Sequence, residues 1–150
     1  MAEPTDKVAI LRHIYASYAH GEVQPFLDCL AEDAEWLSIG PPESMPWAGS
    51  CCDRQSHLER LQRIGRAMRI RDIGIERILV DGDWAVVLSE WEVEDCASAR
   101  PQRYAKVDVF RFRDGRIVGV REFYDTASVM AHMGCAPVSA DVKPQTQISR

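Results

Sequence analysis

The sequence predicts an α+β domain in which helices come first and a curved antiparallel sheet wraps around them. Three observations carry this. Residues 6–20 and 53–68 place apolar side chains at helical spacing. From Ile70 onward the apolar residues alternate with period two. Two Asp-Gly pairs, Asp81-Gly82 and Asp114-Gly115, punctuate the alternating stretches and supply the positive φ that hairpin turns need. Helices followed by a four-strand meander suit one face of a curved sheet that rolls partly around them, leaving a cavity between the layers.

Each element follows in order. Asp6 to His20 sets Leu11, Ile14, Tyr15 and Tyr18 on one stripe, and Gly21 stops it. A short helix over roughly Val23 to Leu30 leads into a short strand, Glu35 to Ile39. Gly40 to Cys52 (GPPESMPWAGSCC) reads as a Pro/Gly-rich loop containing Trp47. Asp53 caps a third helix running to about Met68, with Leu58, Leu61, Ile64 and Met68 inward. Strands over Ile70–Val80 and Trp84–Glu94 follow, then the connection Asp95–Pro101 and two strands within Arg103–Asp125. A short helix near Thr126–Met133 closes a single domain, 1–133, and 134–150 reads as a flexible C-terminal tail.

The segment RYAKVDVFRFRDGRIVGVREFYD is the most informative. Alternation puts Tyr104, Lys106, Asp108, Phe110 and Phe112 on one face of the first strand, and Val118, Val120, Glu122 and Tyr124 on one face of the second. Register decides which side chains meet. A two-residue turn pairs Phe112 with Ile117 and sets Glu122 opposite Val107. A three-residue loop, Arg113-Asp114-Gly115, pairs Phe112 with Arg116. It sets Lys106 opposite Glu122 and Tyr104 opposite Tyr124. The second register is favoured because it gathers an ion pair and two phenols on one face. The other face, with Val107, Val109, Gly119, Arg121 and Phe123, is too apolar for a solvated surface and predicts a homodimer.

Composition narrows the function. The chain has 150 residues, 46% hydrophobic, with a net charge of -5, which argues against a nucleic-acid partner. The arginines of Arg60–Arg71 interleave with apolar residues and read as a solvated helix face. No segment has the length of a membrane span, and the N-terminus lacks a signal-peptide core. The five cysteines, Cys29, Cys51, Cys52, Cys96 and Cys135, show no paired spacing and predict free thiols in a reducing cytoplasm. Neither they nor His13, His20, His57 and His132 form a metal constellation, and no Gly-rich phosphate loop is present, so no metal or cofactor is expected.

YASYAHGE, LAEDAEW, the Gly-Pro loop ending in WAG, DGDWAVV and VDVFRFRDGRIVGVREFYD, in this order over about residues 6–130, resemble the nuclear-transport-factor-2-like superfamily. The resemblance is to its SnoaL-like, polyketide-cyclase-like and ketosteroid-isomerase-like branch. It implies the cystatin-like conical half-barrel, a deep apolar pocket and usually a dimer. It fixes no reaction, because the fold hosts isomerases, cyclases, dehydratases, hydrolases and binders.

Residue by residue, Asp108 falls where ketosteroid isomerases carry a protonated Asp that helps hold an enolate oxygen; the alternative is a salt-bridged Asp. The position of the isomerase's general base holds Ser38, a poor proton acceptor. The pocket tyrosine on helix one matches Ile14, with Tyr15 beside it and Tyr18 one turn on. Epoxide hydrolases of the superfamily use Arg-x-Asp where this chain has Glu90-Trp91-Glu92, although Glu122 keeps the carboxylate of the last strand. At least one of Glu90 and Glu92 is expected on an exposed face. SnoaL-like cyclases close a ring by aldol chemistry with a carboxylate base and no cofactor. Asp108, Glu122 and Lys106 are therefore the candidate catalytic residues. Tyr15, Tyr18, Trp36, Ser38, Trp47, Tyr104, Phe110 and Tyr124 are the candidate substrate-binding residues. Trp91 could also line the slot. His57 reads as a surface residue at a helix border, with reach toward the cavity as the alternative. The expected function is a cofactor-independent isomerase- or cyclase-type proton transfer on a hydrophobic cyclic or aromatic molecule. The alternative is a non-catalytic small-ligand binder or oligomerising protein of the same fold.

Overall fold

The computed structural model describes residues 6–134, so the 134–150 tail lies outside the described residues apart from Gly134. Helices α1 (Lys7–Ala19) and α2 (Gln24–Cys29) lead into strand β1 (Leu30–Ser38). Then come β2 (Gly49–Cys51), α3 (Arg54–Ala67), β3 (Met68–Asp81), β4 (Trp84–Asp95), β5 (Pro101–Arg113), β6 (Arg116–Tyr124) and α4 (Thr126–His132). The strands form one curved, unclosed sheet in the order β2-β1-β6-β5-β4-β3, with β1 parallel to β6 and every other pair antiparallel. Register shifts in the β1–β6, β3–β4 and β5–β6 pairings bend the sheet, since an unpaired residue increases local twist.

Capping explains where the helices begin. The Asp6 side chain accepts from the Ala9 amide, and Asp53 and Ser56 form a reciprocal box at the start of α3. Helix α1 ends at Gly21, whose φ of 80° is a left-handed stop. The core lies between the helices and the concave sheet face, where Leu11, Trp36, Val87, Ile117 and Val129 are buried.

Three expectations change in this region. The first strand starts at Leu30 rather than Glu35, because its parallel partner β6 extends it. The loop after it contains β2 and packs inward: Met45 and Trp47 are buried. Gly40, at φ 151°, lets Met45 approach so closely that an added Cβ would lie 2.9 Å from its sulfur. On α3, Leu58 is exposed while His57 and Arg60 are buried, so the inward stripe is rotated from the one the apolar pattern suggests. Arg60 explains the rotation. Its guanidinium donates to the Trp36 carbonyl (2.9 Å) and the Gly49 carbonyl (2.6 Å), tying α3 to β1 and β2.

The β5–β6 hairpin corrects the expected register. Arg113 pairs with Arg116, so the turn is the two-residue Asp114-Gly115, with φ of 50° and 76°. Such a turn matches the twist of the flanking strands. It alone would reverse the facing of every residue beyond it. A bulge restores the parity: Phe112 pairs with Ile117 and Arg111 with Gly119, leaving Val118 extra. The bulge lets Ile117 and Val118, adjacent in sequence, both bury. Beyond it Asp108 stands opposite Glu122, and Lys106 opposite Tyr124. The shared inner face expected from alternation is therefore present, slid along by two residues.

Candidate functional site

The inner face of β5 and β6 places three charges under apolar walls. Lys106, Asp108 and Glu122 are 8%, 2% and 7% exposed. Lys106 Nζ donates to Glu122 Oε1 at 2.7 Å and lies 3.2 Å from Asp108 Oδ1. It also sits 4.2 Å from the centre of the Trp91 ring. From α1, the Tyr15 hydroxyl donates a short hydrogen bond to Asp108 Oδ2. Asp108 Oδ1 is buried and pairs with the Lys106 ammonium at 3.2 Å, with no further partner among the described residues. The site thus holds a carboxylate with one oxygen anchored by Tyr15 and the other facing the Lys106 ammonium.

The two carboxylates share one cation unequally, and their protonation follows. Burial raises the Asp108 carboxyl, and the repulsion of Glu122 adds to it. Lys106 and Tyr15 only partly offset this, so it titrates at about 6 instead of 3.8. Burial opposes ionisation of Glu122 too, but its closer contact with Lys106 wins and holds it below the ordinary value. Burial likewise favours neutral Lys106, yet Asp108 and Glu122 together lift it well above the usual lysine range. Near neutral pH the result is a fixed Lys106–Glu122 ion pair beside a carboxyl that can gain or lose a proton. Tyr15 is raised by burial and by Asp108, so it remains a donor.

Two small chambers flank the ion pair. The first, about 40 Å³, is bordered by Tyr15, Phe26, Trp36, Phe110 and Val120, with Asp108, Lys106 and Glu122 as its polar wall. The second, about 30 Å³, is bordered by Trp47, Tyr104 and Tyr124, with Lys106 and Glu122 again in its wall. There Trp47 Nε1 donates to the Tyr124 hydroxyl (2.9 Å), and the Tyr104 and Tyr124 rings lie 5.7 Å apart. Ser38, fully buried, has its Oγ 3.4 Å from the Tyr124 hydroxyl.

The structure therefore gathers Asp108, Glu122 and Lys106 at one point and distributes the candidate binding residues around it. Tyr15, Trp36 and Phe110 fall on the first chamber, Trp47, Tyr104 and Tyr124 on the second, and Tyr18 on both. Ser38 sits behind Tyr124 rather than on a chamber wall. His57 is not at the surface: it is buried 6.0 Å from Trp36, ring to ring, and borders neither chamber. Glu90 is exposed and Glu92 half-buried; both pair with Arg103, while Trp91 between them points inward. Phe26 and Val120 were not among the candidates. Val120 shares the alternation that places Glu122, a legible signal, whereas a six-residue helix with Pro25 in its first turn gives Phe26 no periodicity to read. Among the described residues, no three His, Cys, Asp or Glu side chains cluster to hold a metal, and no helix is long and apolar enough to cross a membrane.

Comparison with known proteins bears on this geometry. The profile of the SnoaL-like domain matches residues 11–120. An NTF2-like protein of unknown function from Burkholderia pseudomallei superposes with a TM-score of 0.78 at 20% identity, covering 84% of this chain and 95% of its own. A Jannaschia protein provisionally designated a SnoaL-like polyketide cyclase gives 0.75 at 14% identity, covering 91% and 97%. TerC, co-crystallised with polyporic acid, gives 0.74 at 18% identity, covering 85% and 97%. At these identities the likeness is one of fold. No curated protein sequence matches significantly.

Proposed function

This chain belongs to the SnoaL-like domain family, and from that premise we propose that it is a cofactor-independent acid–base enzyme acting on a hydrophobic cyclic or aromatic small molecule, with Asp108 as the proton-transferring group. One arrangement carries the reading: Asp108 lines an apolar chamber, with its carboxyl lifted to about 6 and its Oδ1 beside the Lys106 ammonium. A base is most effective when its pKa lies near the working pH, and burial is how a carboxyl reaches that range.

The chemistry follows from the contacts. Ionised Asp108 takes a proton from a carbon beside a carbonyl through Oδ1. Tyr15 holds Oδ2 and so orients the carboxylate. Lys106, fixed by Glu122, offers positive charge beside the position where an enolate oxygen forms, and the low-dielectric walls strengthen that interaction. The proton then returns to the substrate at another carbon in an isomerisation. In an intramolecular aldol closure, the carbanion attacks a second carbonyl and the alkoxide takes the proton. Support comes also from the neighbours: one is provisionally designated a SnoaL-like polyketide cyclase, and another, TerC, was co-crystallised with polyporic acid.

The test begins with mass spectrometry of the small molecules that copurify, followed by turnover of those compounds and their carbonyl-bearing analogues. Turnover should rise with pH through about 6 as Asp108 ionises. Asp108→Asn should lower it by about 10²–10⁴-fold while the ligand still binds. Turnover unaffected by this substitution would remove Asp108 from the chemistry. Binding without turnover in the wild type would favour a carrier instead.

A further inference from the structure

The chambers around Asp108 are too small for the ligand class just proposed. At about 40 and 30 Å³ each falls well short of the ~150 Å³ at which an engineered apolar cavity holds benzene. A much larger cleft, about 450 Å³, opens between the end of α1, the end of α3 and the start of β3. Tyr18 borders the cleft and both chambers, and Ile64 and Met68 border the cleft and the second chamber. The ring of Tyr18 leans on Trp91, 5.7 Å centre to centre, and so stands between the open cleft and the ion pair.

Three of the other aromatic walls are tethered by a hydrogen bond. The Tyr15 hydroxyl is bound to Asp108, Trp91 Nε1 to Ser89 Oγ at 3.0 Å, and Trp47 Nε1 to Tyr124 at 2.9 Å. The Tyr18 hydroxyl has no hydrogen-bond partner among the described residues. Turning the ring aside therefore breaks packing but no hydrogen bond. Tyr18 also lies in the last turn of α1, beside the Gly21 stop, where helix ends open most cheaply. Met68, across the cleft, is an unbranched side chain that repacks readily.

We infer that Tyr18 is the size-determining plug of the site: ligands approach through the cleft, and rotation of this ring joins the cleft to the two chambers. The inference rests on the binding part of the function proposed above and adds its route and its selectivity filter. Ligands no larger than a few heavy atoms pass with the ring in place, and a fused bicycle requires it to move.

The test uses 2-naphthol as the probe and follows its fluorescence in stopped flow. Tyr18→Ala should raise the association rate constant at least tenfold and tighten the equilibrium, because the plug becomes free volume. Tyr18→Phe should stay within about twofold of wild type, because the hydroxyl holds nothing. Tyr18→Leu, closer in volume, should fall between them and guards against a folding defect in the alanine variant, with thermal melts confirming each fold. Equal rates in all four proteins would overturn the inference, as would acceleration by Tyr18→Phe equal to that by Tyr18→Ala, which would make the hydroxyl a latch. Asp108→Asn in the same assay separates the two readings. The plug predicts that the ratio of rates between Tyr18→Ala and Tyr18 is the same with Asn at position 108. An Asp108→Asn protein with unchanged turnover defeats the acid–base reading and leaves that ratio intact.

Discussion

Replacing Asp108 by Asn should stabilise the protein at pH 8 and change little at pH 4. The amide mimics the protonated carboxyl, keeps an acceptor for the Tyr15 hydroxyl and cannot ionise. In the folded protein Asp108 titrates at about 6, against 3.8 for an ordinary aspartate. A carboxyl raised by folding contributes stability that is fully present below the unfolded value of 3.8 and is lost as pH rises through about 6. The gap corresponds to about 3 kcal/mol. At about 2–4 °C per kcal/mol for a chain of this length, that is roughly 6–12 °C in Tm. Circular dichroism melts of both proteins at intervals from pH 4 to pH 8 would show the curves meeting at the acid end, separating between about pH 4 and pH 6 and running parallel above that. A variant that loses stability at pH 8 relative to wild type would refute the reasoning, since Lys106 would then be holding Asp108 as a favourable ion pair.

Other perturbations probe the same account from different sides. Lys106→Met should destabilise the fold by about 3–5 kcal/mol at neutral pH, because Asp108 and Glu122 then face each other buried without a cation. Urea titration should show the loss shrinking at pH 5, where the carboxyls can protonate. The convex sheet face carries Val107 and Val109 half-buried and Phe123 42% exposed, and we propose that it pairs two copies of the chain. Sedimentation should report a dimer at micromolar concentration and a monomer for Phe123→Glu; a wild-type monomer would end that proposal.

The architecture was legible because its signals are local. Asp6 and Asp53 as caps, Gly21 as a stop and the Asp114-Gly115 turn each depend on a few neighbouring residues, while the other turn, expected at Asp81-Gly82, falls one residue later at Gly82-Asp83 because Asp81 still pairs with Trp84. The polar face of the site was legible for the same reason: alternation alone puts Lys106, Asp108 and Phe110 together, and no register can separate them. The register was not, because it depends on a bulge at Val118 that the burial of two adjacent side chains decides, a tertiary effect. His57 and Arg60 were misread for a related reason. Polar residues on a helix normally face water, and here the free carbonyls of Trp36 and Gly49 draw the guanidinium inward. Met45 gave no periodic signal at all, being buried by a loop. Family resemblance placed Asp108, but its environment, set by Tyr15 from α1 and Glu122 from β6, required the assembled structure.

The central claim is that Asp108 is a buried carboxyl poised to exchange a proton near neutral pH. A carbon-13 NMR titration of the aspartate side-chain carboxyls, with the Asp108 resonance assigned by its absence in Asp108→Asn, measures this directly and needs no substrate. The account predicts a transition near 6, accompanied by a smaller response at Glu122 through their common partner Lys106. A resonance that remains ionised to below pH 4 would contradict it: Asp108 would then be a permanent counter-ion of Lys106, and the site a structural ion cluster.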